Sequence, residues 1–183
     1  MVEPLALAGL WVWSPSRHAD SRGWFSEIFS QRALEPQLGG LNFVQENQSY
    51  SLRRGVVRGL HFQAPPMAQD KLICVVRGAI VDIALDLRAS SATYGQHARV
   101  ELSAANGTLL FVPKGFAHGF VTLEPDTTVL YKTTNYYSPA HERGVFWLDP
   151  VLQIDWGVRA EEAIISEKDS RLPTLAEIPS CFA

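Results

Sequence analysis

The chain has 183 residues, 46% of them hydrophobic, and a formal net charge of −3. That is enough apolar material for a buried core, and it argues against a disordered chain. The acidic balance argues against nucleic-acid binding, which needs a basic face, though not against a local basic pocket for an anionic small molecule.

The N-terminal MVEPLALAGLWVWSP places an acidic residue and a proline ahead of its apolar part, where a secretory signal carries basic residues. No apolar run reaches ~18 residues, so no membrane span is predicted and a cytoplasmic location is expected. From there the chain reads as short runs rich in Val, Ile, Phe, Thr and Tyr, cut by Gly, Pro and Asn. Strands are predicted over 10–13, 24–29, 42–50, 55–63, 71–77, 79–87, 97–103, 108–112, 117–123, 127–133 and 144–148. Helical patterning is confined to QRALEPQL (31–38), ended by Gly39-Gly40, and AEEAIISEKDS (160–170). Turn signals at Arg77-Gly78, Asn106-Gly107, Pro113-Lys114-Gly115 and Glu124-Pro125-Asp126 separate the strands. Many short strands with no alternating long helices predict an all-β sandwich or barrel with a few short helices, not a parallel βαβ sheet. No repeat or linker divides the chain, so residues 1–183 are expected to form one domain.

Two strands carry unusual polar residues. In IVDIALDLR (80–88), Val81, Ile83, Leu85 and Leu87 share one face, and Ile80, Asp82, Ala84 and Asp86 the other. The second face is part-polar, so it meets either solvent or a wet cavity inside a barrel. GVVRGLHFQ (55–63) puts Arg58 and His61 inside an apolar strand, where long polar side chains are rarely buried unless paired. Cys74 in KLICVV reads as a core thiol, and Cys181 near the C-terminus is expected to be mobile. Neither spacing suggests a disulfide framework or a metal site.

A lone histidine in an apolar strand is more often a satisfied core residue than a catalyst. Here His61 and His118 are joined by Arg58, Lys71 and Tyr131 in strand-like segments, and several costly polar groups in one small β-domain suggest a shared pocket. There is no His-x-His pair, since Gln63 follows His61. A metal site built from His61, His118 and one carboxylate stays open as an alternative. Neither a G-x-S-x-G elbow nor a glycine-rich phosphate loop occurs. The inventory fits proton transfer next to a carbonyl: His61 as base, Tyr131 as acid, Lys71 as the cation at a developing enolate oxygen, Asp169 orienting the histidine. Each also has an ordinary reading, as a buried strand tyrosine, an edge-strand lysine and a capping aspartate, and patterning does not bring the four together in space.

The motifs DSRGWFSEIF (20–29), QENQSYS (45–51), GVVRGLHFQ (55–63), KLICVVRGAIVDIALDLR (71–88), LLFVPKGFAHGF (109–120), VLYKTTNYYSPAHERG (129–144) and SEKDSRLP (166–173) resemble, in this order and spacing, the dTDP-4-dehydrorhamnose 3,5-epimerase family. The resemblance spans roughly Asp20 to Pro173. It implies a cupin-type jelly-roll fold and a homodimer that works without metal or organic cofactor. The implied substrate is a dTDP-linked 4-keto-6-deoxy sugar, epimerised at C3 and C5. The resemblance makes His61 the base, Asp169 its dyad partner, Tyr131 the acid on the opposite face and Lys71 the cation beside the enolate oxygen. Gln45, Asn47, Arg58, His118, Glu142 and Lys168 fall in motifs that bind sugar and diphosphate. Arg22 and Glu27 lie on an N-terminal strand that, by the resemblance, helps form the partner subunit's site.

Strict alternation would place Arg58 and His61 on opposite faces; either Gly59 between them marks a bulge that re-aims one side chain, or one of the two does not face the sugar. One departure is Gln48, where the family often has histidine. If that position touches substrate, selectivity changes. A single-site epimerase, a metal-dependent cupin and a non-catalytic sugar-nucleotide binder are the other readings.

Overall fold

The computed structural model describes all 183 residues. Two antiparallel sheets face each other. One has the order β1 (Val2–Pro4), β2 (Trp11–Trp13), β10 (Leu109–Val112), β7 (Lys71–Arg77), β12 (Thr127–Thr133), β5 (Gln45–Ser51). The other runs β13 (Glu142–Gly144), β6 (Val57–Gln63), β11 (Phe116–Thr122), β8 (Ala79–Asp86), β9 (His97–Ser103). A separate hairpin pairs β3 (His18–Asp20) with β4 (Gly23–Phe25). This is an all-β double-sheet sandwich, as the strand pattern implied, of the cupin type that the resemblance implied.

Alternation along the strands builds three apolar layers. Ile73, Val75, Ile80, Leu110, Phe120 and Val129 fill the space between the sheets. Val57, Leu60, Val81, Ile83 and Leu85 form the outer face of the five-stranded sheet, covered by Trp147, Leu152 and Trp156 from the C-terminal segment. On the outer face of the six-stranded sheet, Trp11, Leu72 and Phe111 meet Leu34 and Leu38 of α1 (Gln31–Leu38). That helix starts at Ser30, whose hydroxyl accepts from the Ala33 N–H, and stops at Gly39 in the left-handed region.

The expected wet face of β8 is dry. All eight of its residues are buried, because the strand is covered on both sides, and Asp82 and Asp86 are fully enclosed. Asp86 is tolerated because Arg88, Ser91 and Thr93 all donate to it. Burial would raise its pKa, but these bonds hold the carboxyl far below the usual range.

Other boundaries also differ. The strand predicted over 24–29 is only Gly23–Phe25, and that over 144–148 is Glu142–Gly144. The helix predicted over 160–170 is a single turn, α2 (Glu167–Ser170). Ahead of it, Ile164 spends its backbone on β6 instead: its N–H donates to Gly55 O and its carbonyl accepts from Val57 N, both sheet-like. Cys181 is not loose. It packs on the outer core beside Phe182, whose carbonyl accepts from Ala89 N.

The predicted bulge is present. Opposite β11, His118 faces His61 and Phe120 faces Arg58, so three steps on β6 meet two on β11. Gly59 sits at φ +115°, and a Cβ there would lie 2.7 Å from the Gly119 Cα and 2.8 Å from the His118 carbonyl oxygen. Both atoms are backbone and cannot swing aside. Gly59→Ala is therefore expected to destabilise the fold by about 3 kcal/mol or more, combining left-handed strain with overpacking. A fall in the unfolding free energy from urea titration of at least this size checks it; a loss under about 1 kcal/mol would contradict it.

Candidate active site

The bulge leaves Arg58 and His61 lining the same cavity, a cleft of about 650 Å³ at one end of the sandwich. β5 brings in Gln45 and Asn47, β7 Lys71, β11 His118, β12 Tyr131, β13 Glu142, and α2 with its cap Lys168 and Asp169. Ten of the twelve residues singled out from sequence thus converge. Arg22 and Glu27 do not: both are exposed at or just beyond the β3–β4 hairpin, and Arg22 pairs with Asp20. Gln48 is exposed on the face of β5 opposite to Gln45 and Asn47, so its departure from the family pattern does not touch this cavity.

His61 and Asp169 meet at 2.8 Å, 108 positions apart in sequence. A carboxylate only accepts, so His61 Nε2 carries the proton and Nδ1 is left as the basic nitrogen. Asp169 is fixed from two further sides: its Oδ2 accepts from Gly59 N at 3.1 Å, and its N–H donates to the Ser166 cap hydroxyl at 3.0 Å. Burial pushes the Asp169 pKa up, but the bonds from His61 and Gly59 and the nearby Lys168 charge bring it below the ordinary carboxylate value. It is a standing anion behind the histidine.

Lys71 Nζ donates to the His61 carbonyl oxygen at 3.2 Å. Burial pushes its pKa down to about 8, against the pull of the Asp82 and Glu142 carboxylates. Tyr131 is half-buried, and burial, with the Glu142 charge, raises its pKa despite Arg58 nearby. It is therefore a protonated hydroxyl at neutral pH. At the mouth, Glu142 Oε2 accepts from Lys168 Nζ at 2.6 Å and from the Tyr137 hydroxyl at 2.9 Å.

Three contributors escaped the sequence reading. Asp82 is completely buried and accepts from His118 Nε2 at 2.9 Å. Alternation flagged it as a polar residue on a packed strand, but nothing links it to a histidine 36 positions on. Gln63 and Tyr137 also line the cleft, and neither has a signature beyond its motif. No group of three or more His, Cys, Asp or Glu side chains converges to hold a metal ion. His61 and His118 each commit one ring nitrogen to a carboxylate. One cleft therefore holds a buttressed base, a phenolic acid and a tunable cation, the parts for moving a proton on and off a carbon beside a carbonyl.

The model of the dTDP-4-dehydrorhamnose 3,5-epimerase family matches residues 4–177. A dTDP-4-dehydrorhamnose 3,5-epimerase from Sinorhizobium fredii is 44% identical over 180 residues, covering 98% of this chain and 92% of the relative. Among solved structures, the dTDP-6-deoxy-D-glucose-3,5-epimerase of Legionella pneumophila in complex with dTDP-4-keto-L-rhamnose superposes with a TM-score of 0.93 at 39% identity, covering 98% of this chain and 94% of that one. The dTDP-4-dehydrorhamnose 3,5-epimerase of Bacillus anthracis with TDP and pyrophosphate bound superposes with a TM-score of 0.91 at 46% identity, covering 95% and 98%.

The Lys71 environment has a stability signature. Its proton is held less tightly in the folded chain (about 8) than at the ordinary 10.5. Between those values the unfolded chain binds more protons, so wild-type stability rises with pH across that window. Lys71→Met removes the enclosed charge and is expected to raise the unfolding free energy at pH 7, read from urea titration, by roughly 1–2 kcal/mol. That advantage should shrink from pH 8 to 10.5. A constant or widening gap would contradict the assignment.

Proposed function

The chain belongs to the dTDP-4-dehydrorhamnose 3,5-epimerase family, and from that premise we propose how its residues carry out the reaction. It is an isomerase that converts dTDP-4-dehydro-6-deoxy-D-glucose to dTDP-4-dehydro-L-rhamnose by inverting C3 and C5. Both carbons flank the C4 ketone, so removal of either proton gives an enolate. His61 Nδ1 takes the proton. Asp169 stabilises the imidazolium that results and keeps the ring in the tautomer that leaves Nδ1 free. Lys71 supplies positive charge to the enolate oxygen, where a preorganised donor contributes roughly 3–4 kcal/mol. Tyr131 returns a proton from the opposite face. The observation that carries this reading is the 2.8 Å His61–Asp169 contact in the same cleft as Lys71 and Tyr131. Binding of the nucleotide sugar alone requires neither an acid nor a base.

Arg58 and Lys168 supply the cationic surface for the diphosphate, with Arg58 suited to bidentate contact. Gln45, Asn47, His118 and Glu142 give polar contacts to sugar and diphosphate. The working form is a homodimer in which Arg22 and Glu27 complete the partner's cleft. Three features support this: the hairpin that carries Arg22 joins neither sheet, Trp24 and Phe25 are 58% and 71% exposed, and β5, beside the cleft, has one unpaired edge. Residues 1–183 act as one domain. Two unpaired cysteines fit the reducing cytoplasm. No helix is long and apolar enough to cross a membrane, and the net charge of −3 offers no footprint for nucleic acid.

His61→Asn is expected to lower kcat by about 10²–10⁴-fold with an unchanged melting temperature, and Tyr131→Phe to act in the same direction. Product formation in a coupled reductase assay checks both; full activity in either variant would overturn its role. Trp24→Ser with Phe25→Ser should shift sedimentation from twice the chain mass to the monomer and raise KM. A double variant that remains dimeric would remove the hairpin from the interface.

A further inference from the structure

Gln63 is 4% exposed, sits two residues from His61 and lines the cleft, yet the chemistry above makes no use of it. Its carboxamide is fully occupied by protein. Nε2 donates to the carbonyls of Met67 at 2.6 Å and Tyr136 at 3.1 Å, and Oε1 accepts from Ser138 N at 2.6 Å. The amide orientation is forced, because the two carbonyls can only accept and the backbone N–H can only donate. Two donors and one acceptor on a single planar end are what a carboxamide offers. An imidazole has too few groups, and a carboxylate has no donor.

The segment that Gln63 grips, 134–141, carries Tyr137. The apex of this loop is held from the other side by Gln45 Oε1, which accepts from Tyr137 N at 3.0 Å, while Gln69 ties its base through Asn135 O at 2.8 Å. The Tyr137 hydroxyl then donates to Glu142, which also holds Lys168, the neighbour of Asp169. Glu142 is the register partner of Gln63 across β13 and β6. One side chain thus joins the strand of the base to the loop and the ion pair at the mouth of the cleft.

We propose that Gln63 is a positioning residue that sets the cleft mouth: by locking the Tyr136–Ser138 backbone it holds the Tyr137–Glu142–Lys168 clasp where the nucleotide end of the substrate passes. It acts through substrate affinity rather than on the reacting carbons. The kinetic part rests on the epimerase reading above; the conformational part does not. An unconstrained loop must be ordered on each binding event, so its ordering cost falls on KM.

The test compares wild type, Gln63→Met, which keeps the length, and Gln63→Glu, which keeps the shape but loses both donors. Amide hydrogen exchange of the ligand-free proteins is read at 134–141, and kcat and KM are measured with dTDP-4-dehydro-6-deoxy-D-glucose. In both variants exchange in 134–141 should accelerate at least tenfold. KM should rise tenfold or more, with kcat falling by a smaller factor. Tyr137→Phe should raise KM, and its effect combined with Gln63→Met should be less than multiplicative, since both act through one clasp. Unchanged exchange in 134–141, or a kcat loss at constant KM, would overturn the proposal. So would collapse of both variants, which would make Gln63 a packing residue. If the wild type itself shows no turnover, the epimerase reading fails, and the exchange comparison alone decides whether Gln63 locks the loop.

Discussion

The site depends on the contact between His61 and Asp169. The two residues are 108 positions apart, and only the sandwich topology, with the C-terminal segment folded over the outer face of the five-stranded sheet, brings α2 against β6. The contact also needs the bulge at Gly59. Without the extra residue, His61 and Arg58 would point to opposite faces and one would leave the cleft. Gly59 contributes twice: its φ of +115° permits the bulge, and its N–H donates to Asp169. A single backbone position therefore sets both the direction of the histidine and the anchoring of its carboxylate.

Around that contact the fold encloses charge at a cost to stability. Asp82 is fully buried, with one carboxylate oxygen bonded to His118 and the other without a hydrogen-bond partner. Burial raises its pKa, opposed by His118 and Lys71. Lys71 is itself weakened as a cation by burial. A structure selected for stability alone would place apolar side chains at these positions. The proposed chemistry accounts for their presence, since it calls for a cation whose hold strengthens as negative charge develops on a substrate oxygen. The apolar layers on both outer faces of the sandwich supply the stability that offsets this cost.

Much of this was legible in the sequence. Short strands with period-two patterning and turn residues gave the all-β sandwich, and the Gly39-Gly40 pair marked the end of the first helix. The motif order gave the family and ten side chains that converge in one cleft. Other features were not legible, for physical reasons. Asp82 and Asp86 looked like a wet face because alternation reports polarity and not partners; Asp86 is dry because Arg88, Ser91 and Thr93 satisfy it. Residues 160–165 carry a helical composition, yet the backbone of Ile164 bonds to the start of β6, a tertiary contact that no local propensity encodes. Gln63 entered the sequence reading only as the residue that rules out a His-x-His pair, and its carboxamide has three backbone partners. Arg22 and Glu27 lie outside the cleft, exposed at or just beyond the β3–β4 hairpin.

The central claim is that one cleft moves protons at both carbons beside the ketone. The most direct measurement is proton NMR of dTDP-4-dehydro-6-deoxy-D-glucose in D₂O with the purified protein. The account predicts loss of the C3 and C5 proton signals as deuterium enters. If the folded protein leaves either signal intact, the account is contradicted: exchange at one carbon alone would make it a single-site epimerase, and exchange at neither would remove the proposed chemistry.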